Sequence, residues 1–169
     1  MDVLEAITGR RSVRKFIDKP IELDTLADIL EAGKWAPTAG NINTRSVIII
    51  RDILSRKQMA RAASQSFVAE APVVLVICTH QNLASRKYGK RGAYLYVIQD
   101  TAAMIQNILL ASYSLGIASC WVGAFNEDYV IRVLKIPPGI RPVALIPLGY
   151  PKIIPNVPSR DLDVHVEKW

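Results

Sequence analysis

Two histidines and two cysteines are all that the 169 residues offer of the softer metal ligands. Cys78 and Cys120 sit far apart in apolar runs, outside any Cys-x-x-Cys pair, and His80 and His165 stand alone. No zinc ligand set can be assembled from these spacings, so no metal is expected. The thiols read instead as buried, free, small hydrophobes. Gly-x-Gly-x-x-Gly and the P-loop pattern are both missing, which removes the standard dinucleotide and nucleoside-triphosphate grips. Gly-x-Ser-x-Gly and His-Glu-x-x-His are missing too, and with them the usual serine-hydrolase and zinc-protease signatures. No helix-turn-helix or RNA-binding motif is visible.

Charge is absent from one long segment, Thr101 to Asn126. Its length would span a bilayer. Gln106 and Asn107 fall in its middle, however, and Gly116 interrupts it. Central polar groups are costly in lipid, so a buried helix followed by a buried strand is expected, with no membrane partner. The N-terminal "MDVLEAITGRR" has an acid at position 2 and no long apolar run, so no signal peptide is read there. A cytoplasmic protein is the expectation.

What is present suits one folded domain over residues 1–169. Half of the residues are hydrophobic and 21% are charged, which is enough apolar side chain for a core. The net charge of +6 permits nucleic acid, an anionic membrane or a phosphorylated ligand, without choosing among them.

Apolar periodicity predicts helices over 2–8, 23–35, 53–63, about 93–115 and 128–134. The runs 46–51, 72–78, 118–125 and 143–149 read as strands, the second buried on both faces. Residues 80–91 read as a polar, basic loop. The tail after Tyr150 is rich in proline, and its last stretch "DVHVEKW" could add to a sheet edge, including that of another subunit. Helices and strands mix without a clean βαβ alternation, so an α+β fold is favoured.

The densest cationic stretch is "TGRRSVRKF", residues 8–16. If extended after Gly9, it turns Arg10, Ser12 and Arg14 to one side with period two, and two guanidiniums and a hydroxyl would converge on an anion. A solvated basic turn, with Arg11 and Lys15 in water, explains the same residues equally well.

Further segments weigh on that choice. They are "WAPTAGNIN" (35–43), "GAYLYVIQDTAAMIQNILLASYSLGIASCWVG" (92–123) and "PPGIRPVALIPLGYP" (137–151). Together with "RRSVR", in this order, the set resembles the nitroreductase family of FMN-dependent NAD(P)H oxidoreductases over nearly the whole chain. The resemblance implies a sandwich with a central, mostly antiparallel sheet flanked by helices. It implies an intertwined homodimer with FMN at its interface, the tail from about 151 to 169 packing on the partner subunit. By the same resemblance Arg10, Arg11, Ser12 and Arg14 form the N-terminal flavin motif. Arg10 and Ser12 would hold the phosphate or ribityl chain, and Arg14 would stabilise charge at the N1/O2 edge of the ring. Pro37, Thr38 and Asn41 would reach the flavin of the other subunit. Gln65 would lie in the pocket, Val122, Gly123 and Ala124 would present backbone to the ring, and Arg160 would reach the phosphate.

The implied reaction is ping-pong hydride transfer from NADH or NADPH, through flavin, to a small acceptor such as a nitroaromatic or a quinone. No protein nucleophile or other catalytic side chain is required, which suits the missing motifs. The alternatives are another flavin reaction on the same fold, dehalogenation or flavin breakdown, and a non-catalytic basic domain that binds nucleic acid. Thr44 and Arg45 stand where many members of the family have Pro and Trp. The basic stretch 85–92 is either a lid that attracts a cofactor phosphate or a solvated loop.

Overall fold

The computed structural model describes all 169 residues. Its centre is a four-stranded sheet of β1 (Arg45–Ile50), β2 (Val73–His80), β3 (Ala118–Ser119) and β4 (Ile140–Gly149). The order across the sheet is β1-β2-β4-β3, and every pairing is antiparallel. The helices are α1 (Val3–Gly9), α2 (Leu23–Lys34), α3 (Ile53–Ala63), α4 (Phe67–Glu70), α5 (Gln81–Arg91), α6 (Val97–Ser114) and α7 (Glu127–Leu134).

The alternation along β2 explains the layers. Val74, Val76 and Cys78 join a core with Met59, Val68 and Val130 from α3, α4 and α7. Val73, Leu75 and Ile77 join a second core with Leu26 and Ile29 of α2 and Ile105 and Ile108 of α6. Successive side chains of a strand point to opposite faces, so a strand with helices on both sides must be apolar throughout. Each such fully buried aliphatic side chain contributes about 1.5–3 kcal/mol. Local signals set the helix ends. Asp52 accepts the Ser55 amide at 2.8 Å to start α3, and Asn126 accepts the Tyr129 amide at 2.8 Å to start α7.

Three expectations need correction. Residues 81–91 are helical rather than a loop, although Gly89 (φ 56°, ψ −144°) breaks the helix. A five-residue π-turn, Gly92–Tyr96, then leads into α6, which starts at Val97 and ends at Ser114. The strand expected over 118–125 shrinks to Ala118–Ser119 plus one bridge, Val122 to Leu145. The reason is the partner: the Cys120 amide donates to the Pro147 carbonyl at 3.3 Å, but Pro147 has no N–H to return the bond. Leu23 at the start of α2 is exposed, as are Val3, Leu4 and Ile7 on α1. Within the chain "DVHVEKW" pairs with no strand, and residues 152–169 are exposed. No helix is long and apolar enough to cross a membrane.

Candidate functional site

The cationic stretch leaves α1 at a close approach. A side chain at Gly9 would collide with Tyr113 of α6, so the chain passes tight against that helix before it extends. Arg10 has left helical geometry (φ −59°, ψ 136°), Ser12 bridges Ser119 in parallel, and the Val13 amide donates to the Ser119 carbonyl at 3.0 Å. Val13 enters the core. Arg10, Ser12 and Arg14 gather around Cys120: burial raises that thiol's pKa, while Arg14, Arg10 and the Ser12 hydroxyl all pull it the other way.

Arg11 takes a different part from either reading of the sequence. Its guanidinium folds back and donates to the carbonyls of Thr8 at 2.6 Å and Arg10 at 2.8 Å, placing a cation on the C-terminal end of α1. Lys15 stays at the surface, 3.5 Å from Glu70.

Arg10, Arg11, Ser12 and Arg14 line a cavity of about 210 Å³ with Pro155, Asn156, Pro158 and Arg160 of the tail. None of its four arginines forms an ion pair with a carboxylate. Arg10 is pushed below its ordinary pKa, by burial first and then by Arg160 and Arg11. Four guanidiniums around one cavity with no carboxylate in its lining, Arg11 partly engaged by the carbonyls that end α1, are what an anion would relieve. The donor set therefore fits the phosphate end of FMN.

The remaining residues expected at the flavin fall into two groups. Arg14 lies 5.9 Å from the centre of the Phe67 ring, and Gln65, half-buried, ends the turn before that ring. Val122 is buried against Leu145, and Gly123 and Ala124 follow it into solvent. Pro37, Thr38 and Asn41 sit elsewhere. Asn41 borders a groove with Leu30, Asn43, Arg45, Ser46 and Met104, and this groove shares no lining residue with the arginine cavity. Within one chain the two halves of the expected site stay apart.

The loop that carries Asn41 is built rather than loose. Asp100, buried near the start of α6, accepts the Ala39 amide at 2.9 Å and the Thr44 hydroxyl at 3.3 Å. Gly40 and Asn41 both have positive φ, 60° and 56°. Arg45 donates to the carbonyls of Ala36 at 3.0 Å and Lys34 at 3.2 Å, so it closes the C-terminal end of α2. Its charge is directed at the helix end; burial pushes its pKa below the ordinary value, against an upward pull from Asp100.

Asp100 and Phe67 were not singled out from the sequence. Asp100 had a signal, as the one acid at the head of a charge-free helix. Phe67 had none, since its place under Arg14 depends on the fold. Ser46 and His80 also meet across the sheet, Oγ to Nε2 at 2.6 Å. No group of three or more His, Cys, Asp or Glu side chains is placed to hold a metal.

Comparison with known proteins supplies the context. The sequence profile described as the Nitroreductase family matches residues 7–67 and 54–150. The chain is 34% identical over its whole length, and over 88% of the relative, to a protein of Methanothermobacter thermautotrophicus provisionally named NADH dehydrogenase/NAD(P)H nitroreductase. The crystal structure of nitroreductase A from Vibrio parahaemolyticus superposes with a TM-score of 0.90 at 31% identity, covering 100% of this chain and 77% of that one. The NADPH:FMN oxidoreductase of Vibrio harveyi, solved with NAD+, gives 0.89 at 27% identity, with 99% and 77% covered.

Proposed function

The chain belongs to the nitroreductase family and is an FMN-dependent oxidoreductase acting with NAD(P)H; from that premise, we propose that two copies hold FMN between them and carry a hydride from NAD(P)H to a nitroaromatic, quinone or similar acceptor in two successive half-reactions. The observation that carries this reading is the cavity of Arg10, Arg11, Arg14 and Arg160, which holds four cations and no carboxylate. When bound, FMN supplies the two-electron redox chemistry that no side chain of this protein carries.

The protein's own residues bind and orient. Arg10, Ser12 and Arg160 are assigned to the phosphate and ribityl chain, where charge-assisted hydrogen bonds are worth about 1.5–3 kcal/mol each. Arg14, exposed above Phe67, is assigned to the N1/O2 edge, where a preorganised cation favours the negative charge that reduction develops. Val122, Gly123 and Ala124 offer backbone for the ring, with Gln65 beside it.

The separation of the site's halves supports a second copy, since Pro37, Thr38 and Asn41 do not line the arginine cavity of their own chain. Exposed apolar side chains support the same assembly: Val3, Leu4 and Ile7 on α1, and Ile153, Ile154, Val157 and Trp169 on the tail. Residues 1–169 then act as one domain whose tail embraces the partner.

The test is the absorbance spectrum of the purified protein under anaerobic conditions. A flavin spectrum that bleaches on adding NADH or NADPH, and returns on adding a quinone or nitroaromatic, is the expected result. A colourless protein that takes up no added FMN would overturn the proposal.

A further inference from the structure

From Ala71 to Gln99 the sequence contains no Asp or Glu, yet it contains Arg86, Lys87, Lys90 and Arg91. All four are exposed on α5, and none has a carboxylate partner. Ordinary solvated surfaces mix the two signs of charge, so a cationic segment this free of acid is a standing electrostatic field.

Two of these cations, Lys87 and Arg91, are also held against tyrosine rings. Tyr88 and Tyr96 pack edge to face with ring centres 5.3 Å apart. Arg91 lies 5.6 Å from the Tyr96 ring centre and donates from Nε to the Tyr96 hydroxyl at 3.2 Å. Lys87 lies 5.4 Å from the Tyr88 ring centre. Gly89 turns the chain between the two halves through a conformation that side-chain-bearing residues avoid. The π-turn Gly92–Tyr96 follows at once, an irregularity often found at functional sites.

The position of this segment decides what it could meet. Tyr88 and Lys87 pack over Gly40, where an added side chain would collide with the Tyr88 hydroxyl and stand 2.8 Å from Lys87 Nζ. Gly40 lies between Thr38 and Asn41, the segment assigned above to the flavin of the other subunit. The basic segment therefore travels with that loop to the composite site, and it shares no residue with the arginine cavity assigned to the FMN phosphate.

We propose that Arg86, Lys87, Lys90 and Arg91 form a cationic lip at the nucleotide entrance that binds the 2′-phosphate of NADPH and makes NADPH the preferred hydride donor. The inference rests on the flavin reading, because that reading puts the 38–41 loop at the site. NADH and NADPH share every group except the 2′-phosphate, so a lip of this kind discriminates only by that dianion. Arg91 offers a planar fork already oriented by Tyr96, and Lys87 a point charge beside the loop.

Two measurements test it. The first is the ratio of kcat/KM for NADPH to that for NADH. Wild type should favour NADPH, and Lys87→Gln combined with Arg91→Gln should lower the ratio about tenfold or more, with Lys87→Arg keeping it. The second is calorimetry with 2′,5′-ADP and 5′-AMP on the FMN-loaded protein, where wild type should prefer the former and the double variant should lose the preference. A wild type that favours NADH, an unchanged ratio, or equal affinity of wild type for the two probes would overturn the assignment. Failure of the flavin reading shows separately, as protein that neither takes up FMN nor oxidises either nucleotide.

Discussion

The carboxylate of Asp100 accepts the backbone amide of Ala39 at 2.9 Å, across 61 positions of sequence. Its second oxygen takes the Thr44 hydroxyl at 3.3 Å, so one buried acid fixes both ends of the segment 39–44, which carries Asn41 and follows directly on Thr38. Asp100→Ala is expected to lower the free energy of unfolding by about 2–3 kcal/mol, since a charge-assisted hydrogen bond is lost and the Ala39 amide is stranded. Asp100→Asn keeps one carbonyl acceptor and should cost less. Urea denaturation of both variants, followed by circular dichroism, measures the difference.

Removing a guanidinium from the anion cavity should weaken FMN binding. Arg10→Ala and Arg160→Ala each delete about 1.5–3 kcal/mol of charge-assisted bonding, which is roughly a 10- to 100-fold rise in Kd. Quenching of flavin fluorescence on titration gives the constant. If both variants purify with full flavin, the phosphate assignment is wrong.

Asn41 separates backbone from side chain. Its φ of 56° suits Asn or Gly better than Ala. Asn41→Gly should keep the loop and remove only the amide, whereas Asn41→Ala should add about 1 kcal/mol of strain. Both should reduce flavin occupancy, and by the two-subunit reading the loss should track the dimer content seen by analytical ultracentrifugation. Flavin loss in the Ala variant alone would make the role conformational.

Arg141 and Glu127 form a two-pronged pair, both bonds 2.8 Å, that ties the first turn of α7 to β4. The hydrogen bonds from Arg141 hold the Glu127 carboxyl below its ordinary pKa. A depressed carboxylate stabilises the fold above its unfolded pKa, and that stabilisation disappears as pH falls through the folded value. Both side chains are more than a third exposed, so solvent screening limits the effect to about 1 kcal/mol or less. Thermal denaturation should show Glu127→Gln less stable than wild type at pH 7, with the gap closing in acid below the ordinary carboxylate range. A gap that persists there would assign the effect to packing.

The legible parts of the fold were those written in local pattern. The unbroken apolar run of β2 announced a strand covered on both faces, and the Ala-rich, basic 53–63 segment became α3 with the same bounds. Misreadings arose where a distant partner decides. The 118–125 strand stops short because its neighbour in β4 is Pro147, and residues 81–91 are helical despite their polarity. Of the residues expected at the flavin, Arg10, Ser12, Arg14 and Arg160 line one cavity. That Arg11 would turn back onto α1, and Arg45 onto the end of α2, was not legible.

The sequence by itself determined the α+β class, the two apolar faces of the sheet, the family and the residue types suited to a phosphorylated cofactor. Periodicity and ordered motifs are local, and local information survives in a linear string. Only the tertiary structure decided which charges stand uncompensated. Arg10 and Arg160 lie 150 positions apart in number, yet they share one cavity, while Lys15 found Glu70 and Arg141 found Glu127. Whether a cation is spent on a neighbour or left for a ligand depends on through-space distance, because Coulomb energy falls with separation in space and is indifferent to separation along the chain.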